Sequence, residues 1–473
     1  FMDKPIAPSS HSVCLVTWGD SDSGGDSCSV AGQLANGVRT VVANPSAFAA
    51  LKERGEVVTW GADSDGGDSS ASAPYLSSGV RSVVGNTYAF AALKDDGSVV
   101  AWGARKMGGD LGAAAESLAS GVASIAATAY AFAALKEGGE VVTWGSAKFG
   151  GKPKKAVNET LKCGVVSIAA TFGAFAVIRE SGEVVSWGRP MYGGDSSLVA
   201  EQLASDVVSV AANDYAFAAL KRGGGVVTWG NEDHGGDSCA IYAPWPAKYM
   251  VPGIERLGSG VTSICSTKCD GTGGAFAAVK SCGQVVTWGH RDFGGDSQAV
   301  AEHLSGGVCS VVHNSSAFAA LKSDGGVVTW GSAEDGGDCS LVAAKLAQNV
   351  TRVFSSAYAF AAIKSSGEVV TWGAPRFGGC SDAVAEELCE GVCSVTGNAG
   401  AFAAVKACGR LVTWGAKRFG GDPEREASKR CLELGHVIHV VGTGWAGNSG
   451  AFAAMVRVAT PEEAATTTES SCE

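Results

Sequence analysis

Residues 215–230 read YAFAALKRGGGVVTWG. Two apolar runs, Ala216–Leu220 and Val226–Trp229, flank the break Lys221-Arg222-Gly223-Gly224-Gly225. Each run is too short for a helix and is rich in aromatic or β-branched residues, so both read as strands. The glycine-rich break between them reads as a tight hairpin, with glycine taking the positive φ that such turns require. Nearly the same phrase returns along the whole chain. Its tryptophans are Trp18, Trp60, Trp102, Trp144, Trp187, Trp229, Trp288, Trp330, Trp372 and Trp414, spaced by 42 residues except for one gap of 43 and one of 59. The partner run supplies Phe48, Phe90, Phe132, Phe175, Phe217, Phe276, Phe318, Phe360, Phe402 and Phe452. A fixed period in this range signals a repeat architecture.

Each unit adds an earlier run such as VVSVAA (207–212), which gives three clear strands. The stretch after Trp-Gly, as in GGDSSLVAEQL (193–203), is expected to hold a weaker fourth strand, a turn, or a single helical turn. Alternation in GEVVTWG (55–61) puts Val57 and Thr59 on one side and Val58 and Trp60 on the other. In the neighbouring run Phe48 and Ala50 face one way, while Ala47, Ala49 and Leu51 face the other. Neither side is polar, so each small sheet must be covered on both faces. A radial array of sheets, each sandwiched by its neighbours, meets that demand.

The chain opens on a Trp strand, CLVTWG (14–19), without its partner run. It closes on VIHVV (437–441) and AFAAM (451–455), which lack a Trp strand. The expected fold is therefore all-β: a closed β-propeller of about ten blades built from 42-residue repeats, its N-terminal strand completing the last blade. Residues 1–13 form an N-terminal arm, 14–458 the repeat domain and 459–473 a low-complexity tail. The long gap contains insertions near 240–254 and 266–272, and an extra segment spans 423–435.

The hairpin Gly-x-Val-x-x-Trp-Gly, preceded by an apolar strand ending in Ala-Leu and followed by a Gly-rich turn, resembles the repeat of the regulator-of-chromosome-condensation propellers. The resemblance covers about residues 14–458. The wording differs in its shorter repeat, in GGDS where the family has Gly-Gln-Leu-Gly, and in Tyr88 or Ser46 where the family has a histidine. The resemblance implies a propeller and a role in recognition, since family members act on a small GTPase or bind nucleosomes.

A formal charge of −11 argues against a general affinity for nucleic acid. No run of 18 apolar residues is present, so no membrane span is expected. Neither is a signal peptide read, which favours an intracellular setting, although Phe1 preceding Met2 suggests processing. Among the 15 cysteines, most are expected as buried or exposed thiols, with Cys265–Cys269 the pair best placed for a local disulfide.

Two charged registers repeat with the period. Asp26, Asp68, Asp110, Asp195, Asp237, Asp296, Asp338 and Asp422 follow the Gly-Gly pair, with Lys152 and Cys380 in their place elsewhere. These acids are expected to form Asx-turns on an acidic rim. Lys52, Lys94, Lys136, Arg179, Lys221, Lys280, Lys322, Lys364 and Lys406 precede the hairpins and give an opposite, basic rim. The insertion near 240–254 carries Tyr242, Trp245, Tyr249 and Met250 among prolines, the composition of a protein-contact hot spot. No metal motif, nucleophile elbow or phosphate loop is found, so neither cofactor nor catalysis is expected. The sequence points to a non-enzymatic protein-interaction scaffold or accessory subunit of a larger assembly, with unidentified protein partners. An exchange factor for a small GTPase and a lectin-like binder with repeated inter-blade pockets are the alternatives.

Overall fold

The computed structural model describes residues 13–237, 257–267, 273–422, 435–443 and 450–458. They form ten three-stranded antiparallel sheets, an all-β arrangement of repeated units like the blades of propellers. One unit runs Val38–Ala43, Ala47–Lys52 and Val57–Gly61, with the AFAALK strand in the centre. Its hairpin closes through Lys52 N–H to Glu56 O at 2.8 Å and Gly55 N–H to Lys52 O at 2.9 Å, and Gly55 has φ +76°. The last sheet combines the chain's two ends, because Val13–Gly19 pairs with Ala451–Val458 in the register Trp18↔Phe452.

In every sheet the Phe of the central strand lies directly opposite the Trp. Their rings stack at 5.1–5.4 Å. This large face packs on the small face of the adjacent sheet. Phe90, Ala92 and Trp102 thus share a core with Ala47, Ala49, Leu51 and Val57. The alternation read from the sequence therefore has a direct use: alanine lets one sheet approach the aromatic pair of the next. The sheet that joins the termini is covered on both sides. Phe48 and Trp60 pack on Ala451, Ala453 and Met455, while Phe452 and Trp18 pack on Ala401, Ala403 and Val405.

Sheets are also tied by hydrogen bonds. Each indole Nε1–H donates to a glycine carbonyl of the preceding unit, as Trp60 to Gly24 at 2.9 Å and Trp102 to Gly66 at 3.1 Å. That glycine has φ +104° at Gly66, and a Cβ there would meet Phe90 Cδ2 at 2.6 Å. Every first strand carries a bulge, as between Val80 and Ser82. Side chains link these first strands laterally, for example Arg81 Nη2 to Ala123 O at 3.0 Å and Ser355 Oγ to His313 O at 2.8 Å.

The stretch after Trp-Gly contains no strand among the described residues. It makes 3-10 turns such as Asp63–Asp65 and Ser70–Ser72, then a helical turn, Ala73–Leu76. The weaker fourth strand is thereby corrected to the helical alternative. The physical reason is local, since Asp68 Oδ1 accepts from Ser70 N–H at 2.8 Å and curls the backbone away from extended pairing. Leu76, on the helical turn, is then buried in the core between sheets.

Cys265 is a free thiol, half-buried, with Sγ 3.5 Å from Ala277 O. Burial pushes its pKa up to about 12. Cys269, residues 240–254 and 268–272 of the insertions and the 423–434 part of the extra segment lie outside the described residues, as do the tail and residues 1–12 of the arm.

Gly66→Ala should lower stability by about 2–4 kcal/mol, because it adds left-handed strain to a collision with a buried ring. Gly223→Ala, at an exposed position with nothing within 4 Å, should change it by less than about 0.5 kcal/mol. Thermal and urea unfolding of the two variants checks both, and equal effects would refute the interlock.

Candidate functional site: a belt of aromatic rings

The repeated charges are engaged within the scaffold. Lys52 Nζ donates to Gln33 O at 2.8 Å and lies 3.5 Å from Glu56. Lys136, Lys221, Lys322 and Lys406 repeat the bond, reaching the carbonyls of Ser117, Gln202, His303 and Glu387. Arg179 pairs with Glu183 at 2.9 Å and Lys364 lies 3.8 Å from Glu368, while Lys94 and Lys280 hold the same register. The five lysines with a carbonyl bond thus sit near the end of a helical turn, where unpaired carbonyls favour positive charge.

The acidic set serves the backbone. Asp26, Asp68, Asp110, Asp195, Asp296 and Asp338 each accept from the amide two residues on at 2.8–3.0 Å. Asp422 lies 3.3 Å from Lys417, and Asp237 occupies the equivalent place. These acids follow the second turn glycine, which abuts the glycine of Trp-Gly, as Gly67 abuts Gly61. They therefore attach at the far end of the Trp strand from the lysines. Tyr242, Trp245, Tyr249 and Met250 lie outside the described residues.

A different set of side chains comes together at the Trp-Gly end. After each first strand stands a buried polar residue, Asn44, Asn86, Thr128, Thr171, Asn213, Thr267, Asn314, Ser356, Asn398 or Thr443. Asn213 shows its role. Its Oδ1 accepts from the amides of Tyr215 and Ala216 at 2.8 and 2.7 Å, and its Nδ2 donates to His234 O at 2.7 Å. Thr128 does the same with one hydroxyl, bonding Ala131 N–H and Phe149 O, both at 3.0 Å. The residue before Ala-Phe is thereby held beside the third residue of the following 3-10 turn.

Where both positions are aromatic, their rings meet. Tyr130 lies 4.4 Å from Phe149, and Tyr215 stacks on His234 at 4.2 Å. Neighbouring units extend the contact. Tyr88 stacks on Tyr130 at 5.7 Å, Phe172 and Tyr192 bridge from Tyr130 to Tyr215, and His234 stacks on His290 at 5.5 Å. Phe293 ends the series, 4.9 Å from His290. The belt thus crosses successive sheets from Tyr88 to Phe293. Most of its rings are half-buried, while Tyr192 and Tyr215 are buried. The Arg189 guanidinium stands 5.4 Å from the rings of both Phe149 and Tyr192, a cation held over aromatic faces.

Burial pushes the Tyr130 phenol up, with Tyr88 and Tyr192 adding to the effect. Burial also pushes the His234 imidazole down, aided by His290 and opposed by Asp233. Both shifts favour the neutral forms of these two rings. No cluster of three metal-binding side chains occurs among the described residues, and no described helix is long and apolar enough to cross a membrane. Shallow grooves recur between successive Gly-Gly turns, one of about 750 Å³ lined by Asp26, Asp68 and Trp60, another of about 940 Å³ lined by Asp338, Leu341 and Arg376.

Two positions per unit could have disclosed the belt. The residue before Ala-Phe varies among Ser46, Tyr88, Tyr130, Gly173, Tyr215 and Tyr358, and the third turn residue among Asp65, Met107, Phe149, Tyr192, His234 and Phe293. Phe172 and His290 stand one residue before and three residues before these positions, where the sequence also varies, while the Phe and Trp strands stay nearly constant.

No known family profile and no curated protein matches the chain. Among solved structures it is similar to Prp20p from Saccharomyces cerevisiae, at 14% identity over 98% of this chain and 95% of that one, with a TM-score of 0.38. It is also similar to human WBSCR16, at 16% identity over 62% and 87% of the two chains and a TM-score of 0.32. The ectodomain of the Physcomitrella patens receptor kinase CR4 follows, at 13% identity over 60% and 70% and a TM-score of 0.31.

Bonds from the Ser70 backbone and hydroxyl hold the Asp68 carboxyl below the usual carboxylate range. A lowered folded-state pKa adds stability above the unfolded value near ~4, and that stability is lost as pH falls through the lowered value. Asp68→Ala should therefore cost about 0.5–1.5 kcal/mol at neutral pH, with the difference from wild type shrinking below about pH 4. Asp68→Asn keeps an accepting oxygen and should stay closer to wild type. Unfolding curves at pH 7 and pH 3 check the ordering, and an Asn variant as damaged as the Ala variant would contradict it.

Proposed function

We propose that this chain is a non-catalytic protein-interaction scaffold, an accessory subunit of a larger assembly, whose partner contacts the aromatic belt. The observation that carries the reading is the confinement of the belt. One scaffold is repeated ten times, yet among the described residues the long continuous run of touching rings goes from Tyr88 to Phe293, with only a short set, Tyr358, Phe377 and Phe419, in the same positions elsewhere. Such a sector distinguishes one side of a repetitive surface from the other, as a directional contact requires. Half-buried aromatic side chains held by their neighbours lose little freedom on binding, and contacts of this type dominate interface energetics.

The proposal includes closure of the ten sheets into a ring. It is supported by the pairing of Val13–Gly19 with Ala451–Val458 and by the bond from Trp18 Nε1–H to Gly420 O at 3.0 Å. A closed ring leaves no terminal sheet with an apolar face in water. The insertion with Tyr242, Trp245, Tyr249 and Met250 is proposed as a second contact.

The test is affinity capture from the native source with the double variant Tyr88→Ser/Tyr130→Ser. Ser46 and Ser316 already occupy the Tyr88 register in other units, so the scaffold accepts this substitution. A specific partner should be lost from the double variant while its melting temperature stays within a few degrees of wild type. An unchanged partner list would remove the belt from the contact, and loss only on deleting 240–254 would assign it to the insertion. For closure, a chain lacking residues 1–19 should melt lower and self-associate through the bared Ala451–Val458 edge. Unaltered melting of a monomer would argue for an open array.

A further inference from the structure

The belt is not neutral. The 3-10 turns beside it carry charge in blocks: Asp63-Ser64-Asp65, then Arg105-Lys106-Met107, Ala147-Lys148-Phe149 and Pro190-Met191-Tyr192, then Glu232-Asp233-His234. The middle three turns bear no acid, and Arg189 precedes the last of them. In the Phe149 unit the repeated aspartate is replaced by Lys152, and the chain continues Pro153-Lys154-Lys155. Four lysines therefore fall within residues 148–155 of a chain whose formal charge is −11. Lys148, Lys152, Lys154 and Lys155 are all exposed.

The ion pairs of this region join Arg105 to Asp110 and Lys162 to Glu159. Lys148, Lys152, Lys154, Lys155 and Arg189 have no carboxylate within ion-pair distance among the described residues. This contrasts with the repeated lysines of the hairpins, which are spent on carbonyls and glutamates of their own unit. Bonds from the Ser197 backbone and hydroxyl hold the Asp195 carboxyl below the usual carboxylate range, and Lys154 adds to this only at longer range.

We infer that the belt binds an acidic peptide segment of a partner protein, one that sets aspartates or glutamates around an aromatic or aliphatic side chain. The inference deepens the scaffold reading above and rests on it. The apolar side chain meets the half-buried faces of Tyr130, Phe149 and Phe172, while carboxylates meet Arg189, Lys148, Lys152 and Lys154. The acids Asp63, Asp65, Glu232 and Asp233 flank this sector on both sides. They restrict it to a short segment, since a longer anionic polymer such as a nucleic acid would run onto like charge. Few phosphates could be neutralised by so small a set of cations, which further favours the peptide.

A selection of random displayed peptides of about twelve residues on the intact protein tests this. Enriched sequences should combine acids with an aromatic or large aliphatic residue. Synthetic versions should lose at least about tenfold in affinity, about 1.4 kcal/mol, against Lys148→Glu/Lys152→Glu/Lys154→Glu. Their affinity should also fall with added salt, as screening requires. The three lysines are exposed, so the variant should melt as wild type does. No enrichment, enrichment of neutral or basic sequences, or equal binding by the charge-reversed variant would overturn the inference, as would lysine-dependent binding of oligothymidylate without peptide binding. If the native partner is lost from Tyr88→Ser/Tyr130→Ser but kept by the charge-reversed variant, the scaffold reading stands and the acidic partner fails. If both variants keep it, the scaffold reading fails at this face.

Discussion

The fold depends on where ten buried indole N–H groups find their acceptors. A tryptophan in an apolar interface carries one donor that water cannot reach, and leaving it unpaired costs on the order of 1–3 kcal/mol. Here the acceptor is always the carbonyl of a turn glycine from the preceding unit, at 2.9–3.2 Å. The glycine has φ between +87° and +104° and offers its bare Cα side to the Phe that stacks on the same Trp. Sheet order, turn conformation and aromatic packing are thus one interaction. A unit with a misplaced glycine would lose its bond, its turn and its ring contact together.

The spacing of the repeats follows from the same constraint. Glycine and its Trp partner are 36 residues apart in most units, 37 for Trp187 and 53 for Trp288. Some of the extra residues enter between Thr267 and Ala275, and most enter between the turn and the next first strand, as at Lys155–Thr160, where the helical turn is longer. Insertions are tolerated there because that segment only carries the chain from one end of a sheet to the other. Between the central strand and the Trp strand no such slack exists, since cross-strand register fixes Phe opposite Trp.

Strands, hairpins and the two-sided burial were legible because each rests on neighbours close in sequence. The period-2 pattern of AFAALK and the Lys-x-x-Gly hairpin need nothing from elsewhere. Hydrophobic pattern does not choose between a fourth strand and a helical turn after Gly-Gly, because an aspartate side chain sets the backbone there. The belt could not be read from composition at all. Tyr130 and Phe149 meet only because Thr128 bonds the backbone on both sides of the gap, and Tyr215 and His234 only through Asn213. A buried Asn or Thr that looks like an ordinary turn former is the residue that makes two distant positions adjacent.

That arrangement separates stability from recognition. The polar link uses only backbone groups of the residues it joins, so it holds equally well whether the side chains are serine and aspartate, as at Ser46 and Asp65, or tyrosine and histidine, as at Tyr215 and His234. Side chains at these two positions are released from the packing rules that hold Phe and Trp constant. The same freedom applies to charge. Lys152 can replace aspartate because the Phe149 unit turns into the helix Lys155–Thr160 instead of the Asx-capped turn of its neighbours. A surface in which identical backbones carry different rings and opposite charges can differ from sector to sector, with a long run of rings at Tyr88–Phe293 and a short one at Tyr358, Phe377 and Phe419. Recognition then costs the fold almost nothing, because none of the residues that vary belongs to the Trp–Gly–Phe interlock.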